Sequence, residues 1–185
     1  FVDKLETLSQ PTINAEWLCK EPSREGLVFK LFEPKLYPAG HLVDVAPNSS
    51  KPFYVATDYG NTKMHPYIIL VIQRIENPRG WCVVEQHVHV DQTTPAIIEE
   101  HKNAVWFRDS TSGFGDPSRP DLIALWNEAG IFTEGVACEI NAGNDMINNL
   151  LKPAIGAPIL FVSTHCQNVV IEDMEYGILH DFDNY

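Results

Sequence analysis

The fold prediction begins with one stretch of the chain, Phe53-Tyr54-Val55-Ala56-Thr57-Asp58, which is followed by Tyr59-Gly60-Asn61. The apolar and β-branched residues predict a strand, and the Gly-containing tripeptide predicts a turn. Strand alternation places Asp58 on the face of Ala56, with Thr57 on the other face. A carboxylate at this position must be solvated, hydrogen-bonded or bound to a cation, because desolvation is costly. Asp58 is therefore either a turn residue, as Asp before a turn often is, or a metal ligand.

Two further strand-like runs follow directly. Residues 67–75 and 81–90 are rich in β-branched and aromatic residues, and short polar links join the three runs, which predicts antiparallel hairpins. Beyond residue 93 predicted helices and strands alternate. Helices are predicted at 94–103, 118–129, 144–151 and 167–176, and strands near 113–116, at 136 and at 158–162. The fold class predicted is α/β: a mixed sheet, first three strands antiparallel and later strands parallel, flanked by helices.

This order of elements is similar to that of RNase H-like domains. We assign residues 53–185 to such a domain. Residues 1–52 are interpreted as a lead-in segment, within which two strands are predicted at 27–32 and 41–45. The length of 185 residues suits one domain with a full-sized core.

The composition argues against several classes of protein. Hydrophobic residues make up 44% and charged residues 21%, as in an ordinary soluble domain. We expect no membrane association and no signal peptide, because no apolar run nears the roughly 18 residues of a membrane span and the first residues lack a basic start. The sequence has neither a Walker A motif nor a GxSxG motif. Four widely spaced cysteines without a CxxC pair predict reduced thiols rather than disulfides or a zinc knuckle.

The formal net charge of −12 argues against strong binding to nucleic acid. Binding to phosphates requires clustered Lys and Arg, and the basic residues here are dispersed. An acidic domain can still cut DNA if divalent cations bridge its carboxylates to the phosphate. Such a domain is expected to bind double-stranded DNA weakly by itself.

Asp116 repeats the arrangement found at Asp58. In Gly115-Asp116-Pro117-Ser118-Arg119-Pro120, an Asp ends a predicted strand and a helix follows. Asp116 or Ser118 can equally serve as a simple helix cap. In a mixed sheet two such strand ends can lie side by side, and two adjacent carboxylates require a cation to balance their repulsion. Oxygen ligands favour Mg²⁺ or Mn²⁺ over Zn²⁺.

A two-metal site needs more than two carboxylates, since one cation activates water and the other stabilises the leaving oxygen. The candidates for the third acid lie near the C-terminus. Asp181 and Asp183 are the first choice, with Asp183 as a catalytic acid and both as metal ligands. Glu172, Asp173 and Glu175 are alternatives that a solvated helix face would also explain.

Histidine and basic residues offer further candidates. His87 and His89 lie two apart on a strand, so they share a face with Glu85, which could support a zinc site there. Without a Cys or third His nearby in the sequence, an ordinary exposed or buried pair is the simpler interpretation. Lys63 and Arg119 follow the two Asp positions and are the basic residues best placed to bind a phosphate, although ordinary surface charge explains them too.

Taken in order, these segments resemble the nuclease domain of the phage or viral large terminase subunit. The matching segments are 15–19 with 25–29, Tyr54 to Gly60, Trp81 to His87, Gly115 to Ile123 with Glu128-Ala129-Gly130-Ile131, 144–147 and 159–162. The resemblance departs from the family at the C-terminus. The helix that carries the family's third acid is not matched, and Asp181-Phe182-Asp183 stands where it would begin.

The resemblance implies a Mg²⁺- or Mn²⁺-dependent endodeoxyribonuclease that cuts concatemeric viral DNA during packaging. It implies two divalent cations as cofactors, with Asp58, Asp116 and Asp183 as catalytic acids. It also implies a terminase ATPase domain, a portal and a small terminase subunit as partners, in the cytoplasm of an infected host cell. The alternatives are another RNase H-like nuclease, such as a resolvase, and a docking module whose acids are only helix caps. A zinc-site hydrolase built on the histidine strand is a further, lesser alternative.

Overall fold

The computed structural model describes residue 29, residues 31–171 and residues 174–179. Its centre is a seven-stranded sheet in the order β1-β7-β4-β3-β2-β5-β6. The strands are β1 (Leu42–Val43), β2 (Phe53–Thr62), β3 (His65–Glu76), β4 (Arg79–His89), β5 (Ser110–Gly115), β6 (Thr133–Gly135) and β7 (Leu160–Ser163). A separate two-stranded sheet pairs β8 (Val169–Ile171) with β9 (Met174–Tyr176).

The three antiparallel strands predicted from the sequence are confirmed. Strand β2 pairs antiparallel with β3, and β3 pairs antiparallel with β4, over nearly their full lengths. The link between β3 and β4 lies within the predicted residues 77–80, but the turn predicted at Tyr59-Gly60-Asn61 is wrong. Strand β2 continues through these residues to Thr62, because it keeps pairing with β3, and the chain turns at residues 63–64. A register shift after Val71 adds one residue, Val84, to β4, so that Val84 lies in the larger core on the same face as its neighbour Glu85.

The remaining strands of the large sheet are parallel to their neighbours, which confirms the mixed sheet. Strand β5 lies beside β2 and β6 beside β5, while β7 lies between β4 and β1. Strand β1 lies within the predicted lead-in segment 1–52, and His41 there contacts the carbonyl oxygen of Leu151 through Nε2 at 2.9 Å. Part of that segment therefore packs with the sheet, and the division at residue 52 stays a prediction.

Helices cover both faces of the sheet. They are α1 (Thr94–His101), α2 (Val105–Arg108), α3 (Pro120–Glu128) and α4 (Ile140–Leu151). Three of these match predicted helices with shifted ends, and Gly130, with φ +104°, follows α3 as the predicted stop. The helix predicted at 167–176 is wrong, because the described residues there form β8 and β9. The β-branched run Val169-Val170-Ile171 favours a strand over a helix.

Two hydrophobic cores lie on opposite faces of the sheet. The larger core packs Ile69 and Val71 of β3 against Ile97 of α1, Trp106 of α2 and Trp126 of α3. The smaller core contains Val83, Val162 and Leu151, with Leu70 and Ile72 packed against it. Among the described residues, no helix combines the length and the apolar character that crossing a bilayer would demand.

Candidate active site

Asp58 and Asp116 lie side by side where two parallel strands stop pairing. The last paired residues of β2 and β5 are Thr57 and Gly115, and each Asp is the next residue of its chain segment. Both Asp residues are exposed. They line one groove of about 460 Å³ whose apolar wall includes Leu70. The structure thus brings together the two acids that the sequence singled out.

The register of the sheet defines which face carries Asp58. Asp58 lies opposite Ile68, and Ala56 lies opposite Leu70, which packs against the smaller core. Cross-strand partners share a face, so Asp58 and Ala56 point to the same side as predicted. Thr57 belongs to the other side of the strand, and its hydroxyl donates to the carbonyl of Phe114 on β5 at 3.1 Å. This bond joins the two strands just before the two acids.

The two carboxylates are held in different electrostatic states. Burial by surrounding atoms raises the pKa of Asp58, the negative charge of Asp116 raises it further, and His65 acts in the opposite direction. The pKa of Asp116 is lowered, chiefly by the hydroxyl and backbone N–H of Ser118. These two groups donate to Oδ2 at 2.7 Å and to Oδ1 at 2.8 Å. Asp116 is therefore fixed as an anion beside a carboxylate that is harder to ionise.

Gly115 allows the close approach of the second strand end. A Cβ atom added at Gly115 would overlap the hydroxyl and ring of Tyr59, which is buried in the larger core. A larger residue at this position would push β5 away from β2 and separate Asp116 from Asp58. The Gly-Asp sequence is thus part of the site geometry.

A second groove, of about 790 Å³, continues from Asp58 towards the β8–β9 hairpin. Lys63, His65 and Glu175 line it. Lys63 therefore lies beside Asp58, where the sequence placed a phosphate contact. His65 was not singled out from the sequence, although its position just after the Asp58 turn is the signal that could have found it.

Arg119 is held by a neighbour. Its Nη2 and Nε atoms donate to the two carboxylate oxygens of Asp121 at 3.0 and 3.2 Å. The positive charge of Arg119 still acts on Asp116 and contributes to its lowered pKa. Its predicted role in binding substrate would require the Asp121 pair to open, and it stays a prediction.

The predicted third acids fall mainly outside the described residues. Asp181, Asp183, Glu172 and Asp173 all lie there. Glu175 is described, lines the groove of Asp58 and accepts a hydrogen bond from Asn168 at 2.7 Å. The assignment of Asp181 and Asp183 as ligands stays a prediction.

The histidine strand lies on the opposite face of the sheet. His87 and His89 pair with Ile69 and Tyr67, which belong to the larger core. Glu85 shares this face, as predicted, and its carboxylate lies 3.2 Å from Nε2 of His87. The structure also supplies a third histidine, His101 of α1, that sequence spacing did not place nearby.

The buried histidines have lowered proton affinity. Burial lowers the pKa of both His89 and His101, in the latter case to about 4, and the neighbouring histidines lower the pKa of His101 further. Both rings are therefore neutral near pH 7. Their Nε2 atoms lie 3.0 Å apart.

Sequence comparison finds no protein family and no curated protein that matches the chain. Solved structures do match. The large terminase of the thermophilic bacteriophage D6E superposes with a TM-score of 0.62 at 17% identity, covering 76% of this chain and 35% of the D6E protein. The nuclease domain of the P22 large terminase superposes with a TM-score of 0.55 at 10% identity, covering 76% of this chain and 74% of that domain.

The chain thus spans about a third of the length of the D6E protein and about three quarters of the P22 domain. At these identities the similarity establishes the fold. The mixed sheet of antiparallel and parallel strands and its flanking helices belong to that architecture. The chain therefore has the RNase H-like α/β fold of large-terminase nuclease domains.

Proposed function

We propose that this domain is a divalent-metal-dependent DNA endonuclease, acting as the nuclease part of a viral DNA-packaging terminase and cutting concatemeric DNA. The observation that carries the proposal is that Asp58 and Asp116 lie side by side just past the last pair of β2 and β5 and line one groove. The two carboxylates repel each other, and the described residues that line their groove include no basic side chain, so a divalent cation is the group that would balance their charges. The fold shared with the P22 nuclease domain supports the same conclusion.

The residues present fit a hard divalent cation. Asp58 and Asp116 offer carboxylate oxygens, the ligand type that Mg²⁺ and Mn²⁺ prefer. We propose Asp181 or Asp183 as the source of the third carboxylate, with Asp183 as the catalytic acid and two cations in all. When bound, the cations would lower the pKa of a coordinated water and neutralise charge on the phosphate.

The protein's own residues would position the reacting groups. Ser118 orients the carboxylate of Asp116 through its two hydrogen bonds. Lys63, beside Asp58 in the larger groove, is placed to contact a DNA phosphate. Arg119 would do so on the Asp116 side after release from Asp121. Since the chain has a net charge of −12, few other positive groups would help to hold the substrate.

The negative net charge also implies that other components must deliver the DNA. A domain that binds double-stranded DNA weakly needs another component to deliver it. We propose that a terminase ATPase domain, a portal and a small terminase subunit supply this function, in the cytoplasm of an infected cell. Cleavage by the isolated domain should therefore require high protein concentration, and its dependence on salt should be shallow because few Lys and Arg residues contact phosphates.

The test is plasmid cleavage by the 185-residue chain in Mn²⁺ or Mg²⁺, comparing the wild type with Asp58→Asn. We expect the variant to lose more than about 100-fold in rate, because removing a ligand should cost more than the 10–100-fold typical of a residue that only supports one. Its melting temperature should hardly change, since exposed substitutions usually alter stability by less than about 0.5 kcal/mol.

Asp109→Asn is the matched control. Asp109 is also exposed and lies just before the first residue of β5, at the opposite end of the strand from Asp116. It should cleave like the wild type. Cleavage by Asp58→Asn at the wild-type rate in Mn²⁺ would overturn the proposal, as would calorimetry showing no Mn²⁺ binding at millimolar concentration.

A further inference from the structure

A second cluster of potential metal ligands lies on the opposite face of the sheet from Asp58. His89 ends β4, and Glu100 and His101 end α1. One ring nitrogen from each histidine and one carboxylate oxygen of Glu100 lie within 4.8 Å of one another. The cluster thus joins a strand to the helix packed on it, and none of its residues belongs to the proposed nuclease site.

The geometry of the two histidines suits a shared cation. Their Nε2 atoms face each other at 3.0 Å, and Nδ1 of His89 lies 3.9 Å from Oε2 of Glu100. In a tetrahedral site with Zn–N distances near 2.0–2.1 Å, two nitrogen ligands are separated by about 3.3 Å. The Nε2–Nε2 separation therefore needs to grow by only a few tenths of an ångström, and each ring must turn so that its Nε2 lone pair points at the ion. The carboxylate of Glu100, now beside Nδ1 of His89, must swing towards the Nε2 atoms to join them.

The two histidines are buried, whereas the carboxylate of Glu100 is exposed. His89 and His101 are buried, at 7% and 9% exposure, so the surrounding core holds their rings in place. The ring of His101 also packs near those of His87 and Trp106, with centroids 4.4 and 5.4 Å away. Glu100 is exposed, so its carboxylate can rotate towards the histidines and gives the ion a route from solvent.

We propose that His89, His101 and Glu100 bind one Zn²⁺ ion, which would link α1 to β4. Two imidazoles and one carboxylate form a ligand set that Zn²⁺ uses in proteins, and imidazole nitrogen favours Zn²⁺ over Mg²⁺. The fourth position is left to water. This site is separate from the oxygen-ligand site at Asp58 and Asp116 in both place and ligand chemistry, and it does not rest on the proposed nuclease function.

The competing interpretation is a hydrogen bond between two neutral imidazoles, one donating and one accepting, with Glu100 as an ordinary surface acid. That arrangement requires no ion and predicts that Glu100 has no influence on metal affinity. The two interpretations therefore differ at an exposed residue whose substitution leaves the fold intact.

The experiment is calorimetric titration of the EDTA-treated full chain with Zn²⁺ in excess Mg²⁺, which competes with Zn²⁺ for carboxylate oxygens but not for imidazole nitrogens. We expect one ion per chain with a dissociation constant below about 10 µM, and a melting temperature raised by several degrees. Glu100→Gln should weaken Zn²⁺ binding at least tenfold, and His101→Gln should abolish it. Co²⁺ in place of Zn²⁺ should give the visible absorption of a tetrahedral ion.

Two controls separate this site from its surroundings. Glu99→Gln changes the neighbouring acid of α1, which pairs with Lys102, and should bind Zn²⁺ like the wild type. Asp58→Asn should also leave this Zn²⁺ binding unchanged, even when DNA cleavage is lost. No Zn²⁺ binding below 100 µM, or binding that Glu100→Gln leaves unaltered, would overturn the proposal whatever the outcome for the nuclease.

Discussion

On one face of the central sheet, Asp58 and Asp116 are exposed and line open grooves, whereas on the other face His89 of β4 and His101 of α1 are buried against each other. The two acids carry like charges just past the point where β2 and β5 stop pairing. The two histidines contact each other, and the ring of His101 packs near that of Trp106 in the larger core. Both pairs therefore consist of potential metal ligands, but their solvation is opposite.

This difference in solvation indicates how much each pair contributes to folding stability when no metal is bound. Exposed carboxylates are solvated by water, which screens their repulsion, so the free energy of unfolding depends little on them. Buried imidazoles are part of the packing, so replacing their neighbours disturbs the core. Substitutions on the acidic face should change activity and spare stability, and those on the histidine face should do the reverse.

The largest expected effect is that of Trp106→Ala on the histidine face. Trp106 is 2% exposed, and its ring stacks on His87 with centroids 5.3 Å apart. Truncating a buried Trp typically costs about 3–5 kcal/mol in the free energy of unfolding. Urea denaturation measures this loss.

Trp81→Ala is the matched control for Trp106→Ala. Trp81 is only half-buried and packs against Tyr54, with Arg74 over its ring, so its loss should cost less. Mn²⁺ affinity measured below the melting temperature should be unchanged in both variants. If Trp106→Ala weakened Mn²⁺ binding in folded protein, the two faces would be coupled and the comparison would fail.

Cysteine labelling tests whether the smaller core, which lies beneath the face that carries Asp58 and Asp116, is accessible to a reagent from solvent. Cys166 lies in the smaller core on that side, Cys82 in the larger core, and burial raises the pKa of each thiol to about 12. The ordinary value is 9.0, so the thiolate fraction at pH 8 is about a thousandfold lower. Both thiols should react with iodoacetamide about a thousandfold more slowly than ordinary thiols do.

Peptide mapping of the labelled native protein measures each site separately, and Cys138, which is exposed, serves as the internal reference. Denaturation in urea should make all three thiols react alike. Rapid labelling of Cys166 in the native state, with Cys82 protected, would mean that the acidic face opens to its core.

Asp116→Asn should show the next largest effect, on activity alone. The variant loses one of the two charges that would hold the cation, so cleavage should fall by at least about 100-fold. Because Asp116 raises the pKa of Asp58, the pKa of Asp58 should also move down towards its ordinary value. Carboxyl chemical shifts followed against pH check this second result, and an unaltered pKa of Asp58 would show that the two acids do not interact.

Sequence reasoning succeeded where local patterns determine the structure. Runs of β-branched and aromatic residues predict the strands that carry Asp58 and Asp116, and parallel pairing places the two acids side by side. The turn predicted at 59–61 was wrong, because pairing with β3 extends β2 to Thr62. It failed at residues 167–176, where acidic residues suggested a solvated helix face but β-branched residues pair as a hairpin. The contact of His89 with His101 spans 12 residues and depends on how α1 packs, so strand periodicity could not reveal it.

The smallest predicted effect, from Ser118→Ala, separates orientation from charge at the acidic site. The Ser118 hydroxyl donates to Oδ2 of Asp116 at 2.7 Å, while the backbone N–H, which the substitution keeps, donates to Oδ1. Losing the hydroxyl raises the pKa of Asp116, and it also releases one oxygen to rotate. The rise in pKa makes the carboxylate a stronger metal ligand, whereas the released oxygen no longer holds the position that the metal requires.

We expect misplacement to dominate, so cleavage by Ser118→Ala should fall about tenfold while Mn²⁺ affinity changes little. The acidic limb of the pH–rate profile should move to higher pH, because a carboxylate whose pKa has risen is ionised only at higher pH. Ser118→Thr retains the hydroxyl and should restore both the rate and the profile. If the cleavage rate of Ser118→Thr also fell tenfold, the loss would come from the altered shape of the side chain and not from the missing hydrogen bond.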